Sequence, residues 1–199
     1  MPSEQERINK IIEGDVDDFR LLVEDYQRLV THIVFRMVRN EADREEICQQ
    51  VFVKVYENLK RFQGKSKLST WIARIAYHTA MNYIQKKKVP LYGDMFDGGL
   101  REQNATFSDI IDTAKSEQDL PDEVLSRRQR DRLLIRHIYR LPIRYRLVVT
   151  LFHLDEMSYR DIGEILNLPE GTVKSYLFRA RKLLKDRLLQ ELPEEELWR

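Results

Sequence analysis

Six residues near the C-terminal end, Gly171, Lys174, Ser175, Phe178, Arg179 and Lys182, suit a surface that touches nucleic acid. Projected as a helix at about 100° per residue, they share one face, and Val173, Leu177, Ala180 and Leu184 share the other. Lys and Arg hold phosphates or read guanine in the major groove, and a small residue at the helix start permits close approach. A surface helix with merely solvated cations is the plainer alternative. The residues upstream favour the first reading. Gly163 allows a close helix crossing, and Asn167 tolerates the left-handed backbone of a tight turn. Ile162, Leu166, Leu168 and Val173 supply an apolar interior. Ser158 with Asp161 makes an approximate capping box, and Pro169 suits the opening of the next helix. Together these features predict a helix–turn–helix over Tyr159–Arg179.

A second cluster lies in the N-terminal half. Between Asn58 and Gly93 there are eight basic residues and no acid: Lys60, Arg61, Lys65, Lys67, Arg74, Lys86, Lys87 and Lys88. Phe62, Trp71, Tyr77, His78, Tyr83 and Tyr92 are interleaved with them. Cations that follow phosphates and rings that stack on bases make a single-strand surface. Trp71 taken alone reads as core, because Thr70, Trp71 and Ile72 fall on an apolar stripe. A third group, Asp43, Glu46, Gln49, Gln50 and Lys54, is placed by periodicity on the outward face of its helix. That acidic, amide-rich patch is unsuited to DNA and reads either as solvated surface or as a docking face for a basic partner.

Enzymatic chemistry finds no support. His32, His78, His137 and His153 form no H-E-x-x-H pattern, and no Gly-rich phosphate loop or G-x-S-x-G occurs. The single Cys48 excludes an internal disulfide and a cysteine-based zinc site, in keeping with a reducing cytoplasm. No cofactor, metal or catalytic residue is expected. The start is polar, and runs such as Leu147–Phe152 fall far short of the roughly 20 apolar residues of a membrane span, so membrane insertion is not expected.

Apolar spacing places helices near 3–12, 15–39, 42–60 and 69–88, then near 122–140, 143–154, 158–166 and 170–189. Pro121 and Pro142 suit first helical turns. Residues 89–120 hold two basic and seven acidic groups, with Gly93, Gly98 and Gly99, and read as an acidic linker with a short helical piece at Ser108–Ala114. Residues 1–88 and 121–199 each hold 16 basic and 13 acidic groups, so the overall charge of +1 conceals two cationic modules. The expected architecture is all-α: two small helical domains, 1–88 and 121–199, joined by the linker 89–120, with the helix-turn-helix in the second.

These segments resemble the extracytoplasmic-function (ECF) group of bacterial RNA polymerase sigma factors over nearly the whole chain. Asp43-Arg-Glu-Glu-Ile-Cys-Gln-Gln-Val-Phe52 is similar to the family's polymerase-binding helix, usually D-A-E-D-L-x-Q-E-x-F. Leu68-Ser-Thr-Trp-Ile-Ala-Arg-Ile-Ala76 resembles its F-x-T-W-L-x-x-I-A motif. Leu141-Pro142, Ser158-Tyr-Arg-Asp-Ile-Gly163, Gly171-Thr-Val-Lys-Ser175 and Phe178-Arg-Ala-Arg181 match its fourth-domain signature. The departures are Gln50 in place of Glu, His78, Asn82 and Gln85 in place of Asn, Asp and Arg, and Tyr176 where Arg is common.

The resemblance implies a transcription initiation factor whose partners are core RNA polymerase and promoter DNA, and it allows an inhibitory anti-sigma factor. It implies polymerase binding through Asp43, Glu46, Gln49, Gln50 and Lys54. Minus-ten recognition would fall to Lys60, Phe62, Lys65, Lys67, Ser69, Trp71, Arg74 and His78, the loop Phe62–Lys67 taking a flipped base. Minus-thirty-five recognition would fall to Gly171, Lys174, Ser175, Phe178, Arg179 and Lys182. A stand-alone helix-turn-helix regulator is the alternative; it would bind duplex DNA unaided and would not need the basic, aromatic stretch.

Overall fold

The structure is a computed structural model that describes residues 4–88 and 122–191. The expected linker piece at Ser108–Ala114 and Pro121 lie outside the described residues. Four helices precede residue 89: α1 (Glu4–Glu13), α2 (Val16–Met37), α3 (Glu41–Asn58) and α4 (Leu68–Lys88). Four follow it: α5 (Asp122–Tyr139), α6 (Ile143–His153), α7 (Tyr159–Leu166) and α8 (Glu170–Glu191). Leu59–Arg61 is a 3₁₀ turn after α3. The helices expected from apolar spacing agree with these bounds to within a few residues.

Several boundaries have a local cause. Asp15 caps α2 by accepting from the Asp18 N–H at 3.0 Å. Pro142 stands at the N-cap of α6, one residue before the first helical turn that was expected of it. The loop between the 3₁₀ turn and α4 bends through Gly64 at φ +66°, a backbone state natural to glycine.

In the first group Leu22, Val30, Ile33 and Val34 of α2, Ile47, Val51 and Val55 of α3, and Ile72, Ala73, Ala76 and Ala80 of α4 are buried together. Tyr56, which falls on the apolar stripe of α3, is instead 49% exposed and stands edge-on to Phe19. In the second group α6, α7 and α8 enclose Leu147, Leu151, Ile162, Ile165, Val173 and Leu177. The two groups also pack on each other, α2 against α6 and α4 against α7.

Arg146 of α6 is the polar centre of that contact. Its guanidinium donates to Arg36 O at the end of α2 (2.8 Å), to Leu141 O (3.0 Å) and to Tyr139 O. Helix ends expose unsatisfied carbonyls and carry partial negative charge, so one buried cation serves several at once. Burial pushes the Arg146 pKa down to about 10, which leaves it charged at neutral pH. Arg36 lies over the Tyr139 ring at 4.6 Å and donates to Thr150 Oγ1 at 3.3 Å. Beside it, His32 Nδ1 and Asp155 Oδ1 are 2.8 Å apart.

Candidate nucleic-acid and polymerase interfaces

The helix–turn–helix has the expected construction, with one difference in cause. Ser158 and Asp161 form a reciprocal capping box at the start of α7. Asn167 ends that helix in the left-handed conformation, at φ 53° and ψ 54°. Gly163 is required less by a helix crossing than by the turn itself. A Cβ there would lie 2.7 Å from Leu168 O, whereas Val173 on α8 would be an ordinary 3.9 Å away. The Leu168 N–H in turn donates to Gly163 O at 2.9 Å. Pro169 O accepts from the Thr172 and Val173 N–H groups and so opens α8.

α8 divides as the projection requires. Val173, Leu177, Ala180 and Leu184 are buried, while Gly171, Lys174, Ser175, Phe178, Arg179 and Lys182 are exposed. Phe178 is 71% exposed, which a ring tolerates poorly in water but which suits contact with a thymine methyl. Ser175 Oγ donates back to Gly171 O at 2.8 Å. Lys174 Nζ lies 5.4 Å from the centre of the Tyr159 ring.

The basic stretch is positioned by α4 and the loop before it. Lys60, Lys65, Arg74 and His78 are exposed, and Ser69 is half-buried. Phe62 and Trp71, both half-buried, form a tilted ring pair 5.3 Å apart at the mouth of the loop. Lys67 reaches across to the second helical group, where its Nζ meets Asp161 Oδ2 at 3.1 Å. Thr70, absent from the expected site, is fully buried and donates to Asp161 Oδ1 at 3.1 Å. A hydroxyl on an apolar stripe must find a buried partner. That was the available signal; the partner, 91 residues away, was not legible.

On α3 the outward face is narrower than expected. Glu46, Gln49 and Gln50 are exposed, with Gln50 donating to Glu46 at 3.0 Å. Asp43 and Lys54 turn toward α4 instead. The Asp43 carboxylate accepts from Lys87 and Tyr83, and these hydrogen bonds hold it below the usual carboxylate range. Lys54 donates to Thr79 Oγ1 at 3.2 Å. Both satisfy polar groups between two helices, so they orient α3. The face continues into two apolar residues beyond the expected patch, Val53, 56% exposed, and Tyr56.

A helix–turn–helix with a bare basic face, joined to a second helical unit carrying cations and rings, defines a two-part DNA-binding protein of the sigma-70 type. Residues 22–89 match sigma-70 region 2, and residues 125–184 match sigma-70 region 4. The chain is 34% identical over 184 residues to the ECF RNA polymerase sigma factor SigW of Bacillus subtilis, covering 92% of this chain and 96% of that one. It is 31% identical over 189 residues to the ECF RNA polymerase sigma-E factor of Escherichia coli K12, covering 94% of each. The chain belongs to the ECF sigma factors. It directs RNA polymerase to promoters and, like its family, is not an enzyme.

The fold is shared with CnrH in complex with the cytosolic domain of CnrY, at a TM-score of 0.65 and 16% identity over 95% of this chain and 99% of that one. It is also shared with the sigma factor RpoE in complex with the anti-sigma factor NepR from Bartonella quintana, at 0.60 and 18% over 87% and 98%. Among the described residues no helix is long and apolar enough to cross a membrane, and no cluster could hold a metal ion.

Proposed function

We propose that promoter recognition is divided between the two helical groups, with residues 1–88 and 121–199 acting as separate domains and 89–120 as an acidic tether between them. In the first domain Glu46, Gln49 and Gln50, continued by Val53 and Tyr56, dock on core polymerase, and Asp43 and Lys54 hold that face in place from behind. The unpaired strand of the minus-ten element follows Lys60, Lys65, Lys67, Ser69, Arg74 and His78, with bases stacked near Phe62 and Trp71. In the second domain Gly171, Lys174, Ser175, Phe178, Arg179 and Lys182 enter the major groove of the minus-thirty-five element. The factor works with polymerase in the cytoplasm, and an anti-sigma protein is a further partner consistent with the shared fold.

The observation that carries this reading is α8. All six outward residues named from the sequence are exposed, and the opposite face is buried. Co-purification with core polymerase, followed by transcription with and without this chain, is the test. Assembly with promoter-specific initiation supports the reading. Assembly without initiation would reduce the chain to an accessory protein.

A further inference from the structure

We infer that His153 and Arg181 together grip one backbone phosphate of duplex DNA beside the six-residue reading face of α8, and that His153 takes up a proton as they do so. The inference deepens the reading of α8 as the helix that enters duplex DNA, and rests on it.

Arg181 lies on the side of α8 that faces the duplex in that reading. It follows Phe178 by three residues and Lys174 by seven, spacings that return a helix to one face. Its exposed guanidinium lies over the Phe152 ring at 5.5 Å. Phe152 stacks on Tyr159, with centroids 5.1 Å apart and planes 7° from parallel. Lys174 Nζ lies against that second ring. α6 and α7 thus build a two-ring shelf with one cation of α8 at each end. Seven helical residues span about 10.5 Å, and the major groove is about 12 Å wide. A helix whose first turn reads base edges therefore brings a residue two turns further on to the phosphate wall of the groove.

The fold orients Arg181 without cancelling its charge. Arg20 and Arg160, also exposed, face the carboxylates of Glu24 and Glu164. Arg181 meets an imidazole instead, its Nε and Nη2 lying 3.3 and 3.1 Å from His153 Nε2. A guanidinium has no acceptor, so Nε2 is the unprotonated nitrogen and the ring is neutral. Partial burial, and then the charge on Arg181, hold the His153 pKa below the ordinary histidine value. Around the ring, α8 supplies Arg181 and α6 supplies Phe152, edge-on at 5.0 Å. Asp155, two residues further on, is engaged with His32.

A phosphate reverses that balance. Its oxygens accept from the guanidinium, and its charge favours the imidazolium, whose Nε2–H then donates to the same group. His153 is the last residue of α6, where the carbonyl end of a helix also favours a cation. The proton comes from solvent, so binding is linked to pH. Binding raises the His153 pKa, so affinity rises as pH falls through the range where the bound ring is charged and the free ring neutral. It levels off once the free ring is charged as well.

The test uses the full chain and a fluorescein-labelled duplex at low salt, with anisotropy followed from about pH 8 to about pH 6, around the ordinary histidine value. The parent should bind several-fold tighter at the lower pH. His153→Gln keeps a polar atom for Arg181 but takes no proton, and should lose most of that gain. Titration calorimetry in two buffers of different ionisation enthalpy should show proton uptake by the parent and less by His153→Gln. Arg181→Ala should make the salt slope shallower by about 0.9. A His153→Gln chain of unchanged helical content with the parent's pH profile and proton uptake would overturn the proposal. An Arg181→Ala chain with an unchanged salt slope would do the same. Transcription by core polymerase on genomic fragments separates this from the functional reading. Promoter-specific initiation with coincident pH profiles overturns the phosphate grip and leaves the sigma-factor reading standing. Proton-linked binding without any initiation supports the grip and counts against the reading.

Discussion

Arg179 is the residue whose role on α8 can be tested most directly, because its side chain is exposed and makes no side-chain hydrogen bond or ion pair among the described residues. Arg179→Ala should weaken minus-thirty-five recognition by about 1–3 kcal/mol if the guanidinium reads a base. Transcription from promoter variants checks it: full activity with unchanged preference at every position would remove Arg179 from the reading face. Gly163 makes a different prediction, about stability. In Gly163→Ala the new Cβ meets the backbone carbonyl of Leu168, a residue whose own N–H is tied to Gly163 O, so the turn itself must shift. Overpacking of this kind costs about 1–3 kcal/mol, and Tm should fall by several degrees in a thermal melt. His137 sets a pH dependence. Its ring is buried, and that burial pushes its pKa below the ordinary histidine value despite attraction from Glu191. The unfolded chain therefore takes up a proton more readily than the folded one. Stability contributed by the neutral ring is present above about pH 6.5 and is lost as pH falls below it. Melts at descending pH should show this slope, and His137→Gln should flatten it.

Among the elements, α3 presents an exposed face of Glu46, Gln49, Gln50 and Val53, and its neighbours explain why that surface can be altered without unfolding the helix. Ile47, Val51 and Val55 anchor one side, and the Asp43 and Lys54 contacts to α4 fix the orientation. Replacing Glu46 and Gln49 with Lys should therefore leave helical content unchanged while abolishing assembly with polymerase, because a reversed patch repels a basic partner. Normal affinity of a well-folded double variant would place docking elsewhere. The contrast between α3 and α8 also shows which features a sequence exposes. The faces of α8 are fixed by a period of 3.6 residues and by the local turn chemistry of Ser158, Gly163 and Asn167, all within a short stretch. The inward turn of Asp43 depends on Tyr83 and Lys87, 40 and 44 residues away, and periodicity carries no such information. Arg146 is harder still. It lies in the run Ile143–Leu151, where a charge reads as a solvated position, and only the meeting of helix ends from both groups makes burial tolerable. Local order was legible; pairing across the chain was not.

For the whole molecule, the distribution of charge predicts how the free factor meets DNA. Affinity for duplex comes largely from phosphate neutralisation with release of counterions, and each contact adds about −0.9 to the slope of log affinity against log salt. The outward face of α8 offers three cations, Lys174, Arg179 and Lys182. Three phosphate contacts give a slope of about −3, far short of what tight binders show. The first helical group has some of its cations already engaged within the chain. Lys67 is held by Asp161 and Lys87 by Asp43, so two of its cations already face carboxylates. Its ring pair also has no unpaired base to stack on until the duplex opens, which costs a few kcal/mol for each base extruded. The free chain should therefore bind promoter duplex no better than the weak range of non-specific association, with a shallow salt slope. On the proposed division of labour, core polymerase would change both terms by holding the two groups apart at the spacing of the promoter and adding cationic surface of its own. Promoter binding by the purified chain, with and without core polymerase across a salt series, measures this. A steeper slope and sequence preference should emerge only with polymerase present. Tight, sequence-specific duplex binding by the chain alone would mean that α8 and its turn suffice for recognition, and that the division of labour between the two groups is wrong.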